Sequence, residues 1–247
     1  MPRIYLSPST QEYNTYVSGG TEEYYMNLIA DAMEPYLYAS GIEFVRNTPQ
    51  MTAASSIRQA NQDGNFDFYL SLHSNAAPES DAGKYRGTDV YYYPGSINGK
   101  RAADIFADNL KAIYPLPDKV QTRTTTYLGE VTKTRFPAVL IEFAYHDNPE
   151  DAAWITNNIG TIARNVVLSL TEYFGIPFIE PQGTKNGVVN VTSGGLYLRN
   201  KPSVIADIKT TIPNGSRVKI YGSWQDWYVV EYNGQVGYAS KQYIQLV

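Results

Sequence analysis

Residues 66–77 read FDFYLSLHSNAA, and residues 136–146 read FPAVLIEFAYH. Each segment is apolar at nearly every position before it turns polar, which predicts strands of a sheet that is covered on both faces. Between Glu22 and Ala39 the apolar residues recur at spacings of three and four, which indicates a helix with one buried face. Alternation of such segments predicts an α/β fold with a mostly parallel sheet and helices on both faces. In these sheets, sites form at the carboxyl ends of strands.

The sequence pattern changes after Ile176. Residues 177–187 (PFIEPQGTKNG) form a short polar run with two prolines and two glycines, which is typical of a linker. Beyond it, short segments of Val, Ile, Tyr and Trp alternate with turn signals such as Asn-Gly at 214–215 and predict a small all-β barrel. We therefore expect one domain over 1–176, a linker over 177–186 and a second domain over 187–247.

Composition limits the chemistry that this chain can use. The 247 residues include no cysteine, so a metal would have to be held by His, Asp, Glu or an amide oxygen. Residues 186–247 contain 6 Lys and Arg against 3 Asp and Glu, which leaves 14 against 21 for the rest of the chain. A basic tail beside an acidic body predicts a polyanionic partner for the tail, either nucleic acid or a wall polymer.

Hydropathy bears on where the protein acts. No stretch is long and apolar enough to span a bilayer, and the first residues, MPRIYLSPS, lack the apolar core of a signal peptide. We expect synthesis in the cytoplasm, no membrane insertion and, if the protein acts outside the cell, release by another factor.

Three side chains stand out as candidates for chemistry. His73 and His146, the two histidines of the chain, each follow a buried-strand pattern where it turns polar. A single histidine in such a place is more often structural, but both in equivalent positions favour a site. Glu142 lies inside an apolar strand, where burial requires a cationic or metal partner or a raised pKa, and both suit a general base. The alternative for Glu142 is an ion pair with Arg135 or Arg123.

Glu22 and Glu23 stand in the first turn of the predicted helix. Acidic residues stabilise a helix N-terminus, and capping explains at least one of them. Glu22 also leads the apolar face of the helix, so we expect it to point toward the sheet.

These motifs resemble the zinc-dependent N-acetylmuramoyl-L-alanine amidases of bacterial autolysins and phage endolysins, over about residues 3–175. A helix that begins with a metal-binding Glu is similar to the segment from Glu22 to Gly41. The remaining matches occur in the family's order: Ala60-Asn61, Asp67, Ser71-Leu72-His73-Ser74-Asn75-Ala76, Pro137-Ala138-Val139-Leu140-Ile141-Glu142 and Asn148.

The resemblance implies that Glu22 and His73 bind zinc, and that Glu142 activates the attacking water and stabilises the tetrahedral intermediate. In the mechanism that we hypothesise from it, Asn75 orients a ligand or the substrate. One departure concerns the Asp-Pro-Gly-His motif, which here reads Ser7-Pro8-Ser9-Thr10. The first zinc histidine is therefore absent, and a catalytic zinc usually has three protein ligands. His146 is slightly favoured as the third ligand because imidazole is the better donor, and Gln11 is the alternative.

The C-terminal segment resembles the bacterial SH3-like wall-binding domains through Leu196-Tyr197-Leu198-Arg199-Asn200-Lys201-Pro202, Trp227-Tyr228-Val229-Val230 and Gly237-Tyr238-Ala239-Ser240. Together the two resemblances imply a peptidoglycan hydrolase that cleaves the amide between N-acetylmuramic acid and L-alanine. Its partners would be peptidoglycan and anionic wall polymers, not nucleic acid. The alternatives are a wall-binding protein with a degenerate metal site, and a zinc peptidase that acts on the stem peptide.

Overall fold

The computed structural model describes all residues from Met1 to Val247, and the first part of the chain builds a six-stranded sheet in the order β2-β1-β3-β6-β4-β5. The strands are β1 (Arg3–Pro8), β2 (Glu43–Arg46), β3 (Phe68–Asn75), β4 (Thr88–Tyr92), β5 (Val120–Thr124) and β6 (Ala138–Tyr145). β1 pairs with β3, β3 with β6, and β4 with β5 in parallel, whereas β4 and β6 are antiparallel. The predicted mostly parallel α/β sheet is confirmed.

Six helices accompany this sheet: α1 (Glu22–Ser40), α2 (Ala53–Asp63), α3 (Ile97–Lys111), α4 (Gly129–Thr132), α5 (Pro149–Asn157) and α6 (Ile159–Phe174). None of them combines the length and the apolar character that crossing a lipid bilayer requires. α1 buries the predicted face completely, namely Met26, Ile29, Ala30, Met33 and Leu37. The helix starts at Glu22, whose backbone N–H donates to the Asn14 carbonyl at 2.8 Å.

Both faces of the sheet are covered, as the apolar strands predict. Tyr5 and Tyr69 pack in one cluster with Ile57 of α2. Phe68, which points to the opposite face because side chains alternate along a strand, stacks on Phe106 of α3 and contacts Tyr173 of α6. Two layers of helix therefore enclose β3, which explains why its sequence is apolar on both sides.

The C-terminal residues form a separate sheet of seven strands, in the order β13-β7-β10-β11-β12-β8-β9. The strands are β7 (Lys185–Val189), β8 (Gly195–Arg199), β9 (Ile208–Pro213), β10 (Arg217–Trp224), β11 (Trp227–Tyr232), β12 (Gln235–Ser240) and β13 (Ile244–Leu246). All its pairings are antiparallel. Its core consists of aliphatic side chains such as Leu198, Ile212 and Val230. The predicted all-β C-terminal region is confirmed.

The chain divides into two compact units. The larger comprises Arg3–Met33 and Phe44–Tyr173, and the other comprises Met1–Pro2, Glu34–Glu43 and Phe174–Val247. The larger unit contains every residue that the sequence singles out for chemistry. The domain boundaries expected from the sequence stay a prediction.

Gly87 precedes β4 with φ +138°, and a Cβ placed there would lie 2.7 Å from the backbone oxygen of Lys119. Gly87→Ala should therefore lower the free energy of unfolding by about 1–3 kcal/mol, since both the backbone angle and the clash oppose it. Gly160→Ala in α6 is the matched control because nothing lies within 4 Å of its added methyl group. Thermal unfolding should show a lower midpoint for Gly87→Ala alone, and equal midpoints would contradict the assignment of strain.

Candidate active site

The site forms on the sheet face that carries Tyr5, Tyr69 and Ala138 at its start. Since side chains alternate along strands, the same face continues through Ser7 of β1, His73 of β3 and Glu142 of β6. Ser7 pairs in register with Ser71, and His73 pairs with Glu142. Apolar packing at the beginning of the strands thus gives way to polar side chains at their carboxyl ends, where the sequence predicts the site.

A cavity of about 460 Å³ lies over these polar side chains. Its walls come from the loop after β1, the start of α2, the segment around α4 and the ends of β3 and β6. The residues that line it are Ser7, Pro8, Ser9, Thr10, Gln11, Tyr13, Asn47, Met51, Thr52, Ala53, Ala54, His73, Leu128, Gly129, Glu130, Leu140 and Glu142. The dimensions suit a ligand of small-molecule size or the end of a polymer.

His73 lies between two buried carboxylates. Its Nδ1 is 2.8 Å from Glu22 Oε1, and its Nε2 is 2.8 Å from Glu130 Oε2. Burial by itself lowers the pKa of the His73 imidazole, but hydrogen bonds and the negative charges of Glu130 and Glu22 outweigh it and raise that pKa well above its ordinary value. Without a metal, His73 therefore carries a positive charge between the two carboxylates.

The contacts with His73 also change the pKa values of the two carboxylates. Burial raises the pKa of Glu22, but the hydrogen bond and charge of His73 dominate, so the net pKa lies below the ordinary value. The pKa of Glu130 is also lowered on balance, because His73 and the hydroxyl of Ser7 offset the effect of burial. Both acids are therefore ionised at neutral pH.

Gln11 extends this cluster on the Nδ1 side of the ring. Its Nε2 lies 3.4 Å from His73 Nδ1. Asn14 ties it to Glu22, since Asn14 Nδ2 donates to Gln11 Oε1 at 3.2 Å and to Glu22 Oε2 at 2.6 Å. The structure thus brings together three of the sequence-predicted candidates, Gln11, Glu22 and His73.

Glu142 faces the same cavity from the next strand. Its Oε2 is buried without a hydrogen-bond partner, and burial, together with the charge of Glu22, raises the pKa of Glu142 to about 7 against the opposing effect of His73. The structure shows no ion pair of this carboxylate with Arg123 or Arg135, and Arg123 instead binds Asp89 with its Nε 2.6 Å from Oδ1. An acid with a pKa near neutrality suits proton transfer.

His146 and Asn75 lie outside the cavity lining. The Nδ1 of His146 is 3.0 Å from both Oγ and the backbone oxygen of Ser74, and its ring stacks on Tyr16. Asn75 Oδ1 accepts from the backbone N–H of Ala76. The backbone N–H of His146 donates to the Asn75 carbonyl at 2.8 Å, so His146 lies beside the residues that follow His73 and its ring contacts Ser74 instead of His73. The structure does not bring His146 together with His73 and Glu22.

Glu130 is the site residue that the sequence analysis missed. It belongs to the one-turn helix α4, in a polar segment that shows no apolar periodicity. Its carboxylate accepts hydrogen bonds from Ser7 Oγ at 2.6 Å and from Tyr69 Oη at 2.9 Å. The sequence offered one indication that Glu130 belongs to the site. It lies seven residues before Pro137, in a segment that leads directly to β6.

The donors of the cluster bear on metal binding. No group of three or more His, Asp or Glu side chains is arranged to hold a metal ion. The atoms that lie nearest to His73 Nδ1 are Glu22 Oε1 at 2.8 Å and Gln11 Nε2 at 3.4 Å. Imidazole nitrogen and carboxylate oxygen are usual zinc donors, so His73 and Glu22 fit a zinc ion. A side-chain amide binds a metal through its oxygen, and Gln11 Oε1 accepts hydrogen bonds from Tyr13 and Asn14, so Gln11 completes the donor set only after its amide group turns over.

Comparison with known proteins decides the family. The family model of the N-acetylmuramoyl-L-alanine amidases matches residues 9–172, which is more than half of the chain. The chain belongs to this family. A bacterial SH3 domain model matches residues 194–245, so the resemblance of the C-terminal segment is also confirmed. No curated protein sequence matches the chain.

Solved structures share the fold of the larger unit. The catalytic domain of the amidase CwlV from Bacillus (Paenibacillus) polymyxa var. colistinus is 18% identical, with a TM-score of 0.61 over 72% of this chain and 100% of that one. The catalytic domain of the CD27L endolysin targeting Clostridia difficile is 20% identical, with a TM-score of 0.57 over 70% and 98%. An N-acetylmuramoyl-L-alanine amidase from Clostridium difficile 630 is 15% identical, with a TM-score of 0.62 over 70% and 97%. At this identity the likeness extends to the fold.

Glu142→Gln should stabilise the metal-free protein increasingly as the pH rises from 5 to 8. The folded-state pKa of Glu142, about 7, lies above its ordinary value of 4.5, so its stabilising contribution is complete below pH 4.5 and is lost as the pH rises through 7. Above that pH, ionisation costs up to about 3 kcal/mol, which glutamine avoids.

Thermal midpoints of both proteins in a chelator, measured across this pH range, check the expectation. Glu79→Gln changes an exposed carboxylate and is the control, for which no pH-dependent gain is expected. A constant difference between wild type and Glu142→Gln at all pH values would show that the Glu142 carboxylate is not strained by burial.

Proposed function

We propose that this chain hydrolyses the amide bond between the lactyl group of N-acetylmuramic acid and L-alanine of the peptidoglycan stem peptide, with zinc as its cofactor. Membership of the amidase family supports the substrate class. The observation that carries the chemistry is the position of Glu142, a buried acid with a pKa near 7, in register with His73 of the neighbouring strand, which in turn binds Glu22.

His73 and Glu22 would hold the zinc ion, with Gln11 as the third protein ligand. Gln11 is preferred over His146 because it lies beside His73 Nδ1, whereas the ring of His146 lies against Ser74. Zinc bound there would lower the pKa of a coordinated water and polarise the scissile carbonyl. An amide oxygen is a weaker donor than imidazole, so zinc should bind less tightly than at a site with two histidines and a glutamate.

Glu142 is the general base in this proposal. With a pKa of about 7, its carboxylate is partly ionised at neutral pH and can accept a proton from the attacking water. The protonated acid can then give that proton to the departing amine of L-alanine, so the same side chain serves both halves of the reaction. The unpaired Oε2 atom is free for this exchange.

The bacterial SH3 domain would hold the enzyme on the wall. Residues 186–247 carry 6 basic against 3 acidic side chains, which favours contact with an anionic polymer. Tethering to the wall raises the local concentration of substrate around the catalytic unit without any change in its intrinsic affinity. Action at the bacterial wall after release from the cell is part of this proposal.

Glu142→Gln should reduce turnover of purified peptidoglycan by 100-fold or more, since loss of a general base typically costs 10²–10⁴ in rate. Zinc content should remain at the wild-type level because Glu142 is not a ligand. The assay counts free amino groups released, and mass spectrometry of the products identifies the bond cleaved.

Three results would contradict the proposal. Products with intact muramoyl–alanine bonds and cleaved stem peptides would assign a peptidase. Wall binding without zinc and without release of amino groups would assign a binding protein with a degenerate site. Full activity of Glu142→Gln would remove Glu142 from the mechanism.

Gln11→Ala should lower zinc affinity at least tenfold, whereas His146→Gln should leave it near the wild-type value. The reason is geometric, since the Gln11 side chain lies 3.4 Å from His73 Nδ1 whereas the ring of His146 contacts Ser74. Isothermal titration of the metal-free proteins with zinc measures both affinities. The opposite order would restore His146 as the ligand, and no loss in either variant would mean that another donor completes the site.

A further inference from the structure

We propose that Glu130 is a positioning residue of the zinc site, which accepts a hydrogen bond from His73 Nε2–H and so directs His73 Nδ1 toward the metal. The inference rests on the proposed zinc site and adds a residue that the family motifs quoted above do not include. It follows from three features of the structure: the two sides of the imidazole ring, the anchoring of Glu130 and the balance of charge.

The first feature is that the two ring nitrogens of His73 face different partners. Nε2 contacts Glu130, whereas Nδ1 contacts Glu22 and Gln11. A neutral imidazole carries its proton on one nitrogen and offers a lone pair on the other, and the hydrogen bond made by one nitrogen decides which. Both nitrogens face a carboxylate at 2.8 Å, but Glu22 is itself a ligand in the proposed zinc site. Glu130 is then the carboxylate that remains to accept the ring proton, and a proton on Nε2 leaves the Nδ1 lone pair for the metal.

The second feature is that Glu130 is held firmly. The residue is 5% exposed, and its Oε1 accepts hydrogen bonds from Ser7 Oγ and Tyr69 Oη. Those hydroxyl groups belong to β1 and β3, the two strands beside the cavity. Oε2 is thus left to accept from His73 in a fixed direction, which also fixes the rotation of the ring.

The ring itself separates Glu130 from the proposed metal position. Glu22 and Gln11 approach one side of the imidazole and Glu130 approaches the other. The nitrogens of an imidazole point away from each other, so a single ion cannot bind Nδ1 and also contact the carboxylate at Nε2. Glu130 therefore acts through His73 and not as a ligand.

The third feature is charge. Glu22 and Glu130 place two carboxylates against one imidazole in a buried setting, and unpaired buried charge is costly. A divalent cation beside a neutral His73 balances both carboxylates. A carboxylate behind a ligating histidine orients the ring and raises its basicity, and loss of such a partner typically weakens metal binding 10–100-fold.

Zinc titration of the metal-free full-length protein tests this inference. Glu130→Ala should weaken zinc binding by about 10–100-fold, and Glu130→Gln should weaken it less because its amide oxygen can still accept from Nε2–H. Tyr69→Phe, which removes one of the hydroxyls that hold Oε1, should weaken it severalfold and keeps the test available if Glu130→Ala does not fold.

A second measurement separates positioning from general damage to the fold. In zinc-loaded protein with His146→Gln as background, ¹⁵N spectra of the single remaining histidine should show protonated Nε2 and metal-bound Nδ1. In Glu130→Ala the spectra should show a mixture of this form and the form with protonated Nδ1 and metal-bound Nε2. Asp151→Asn alters a fully buried carboxylate that binds Arg86 and Tyr114 elsewhere, so it should lower the thermal midpoint and leave zinc affinity and the ¹⁵N pattern unchanged.

Each result decides between specific readings. Unchanged zinc affinity in Glu130→Ala, with wild-type protein that binds zinc, overturns this inference alone. A metal-bound Nε2 with complete loss of zinc in Glu130→Ala overturns it by making Glu130 a ligand. A wild-type protein that binds no zinc overturns the proposed function and this inference together.

Discussion

The buried imidazole of His73, held between the carboxylates of Glu22 and Glu130, is the interaction on which the site depends. Charges can be buried only when they are paired and hydrogen-bonded, so this triad requires its three members to lie in one geometry. The two glutamates are 51 and 57 residues away from His73 in the chain. The start of α1, the short helix α4 and the carboxyl end of β3 must therefore meet at one point, and the sheet provides that point.

The contrast between Glu142 and the two glutamates paired with His73 explains how one site can hold carboxylates with different properties. Glu22 and Glu130 bind His73 and remain ionised, whereas Glu142, one strand away, has a buried oxygen without a partner and a pKa of about 7. Environments that separate the pKa values of neighbouring acids are the usual way to assign a structural role to one acid and proton transfer to another. The pKa values differ because Glu22 and Glu130 contact the His73 imidazole, whereas Glu142 does not.

The loop after β1, which departs from the family motif at Ser7-Pro8-Ser9-Thr10, places the Gln11 amide next to His73, and Asn14 joins that amide to Glu22. In the proposed zinc site Gln11 would be a weaker donor than a histidine, and such a site would depend more on the orientation of its remaining ligands. The hydroxyl groups of Ser7 and Tyr69, which orient Glu130, are therefore as much part of the site as the residues that face the cavity.

The sequence by itself determined the α/β class, the C-terminal β region and the candidacy of His73 and Glu22, because apolar periodicity and family motifs are written in consecutive residues. It left the choice between His146 and Gln11 open and favoured His146. Only the tertiary structure decided which side chains from different strands and loops point into the site. Asn75 lies outside the cavity, and the ring of His146 contacts Ser74 and Tyr16 instead of the proposed ligands. Glu130 enters the site from a one-turn helix without a periodic pattern. These outcomes depend on strand register and on contacts between distant segments, which no local stretch of sequence encodes.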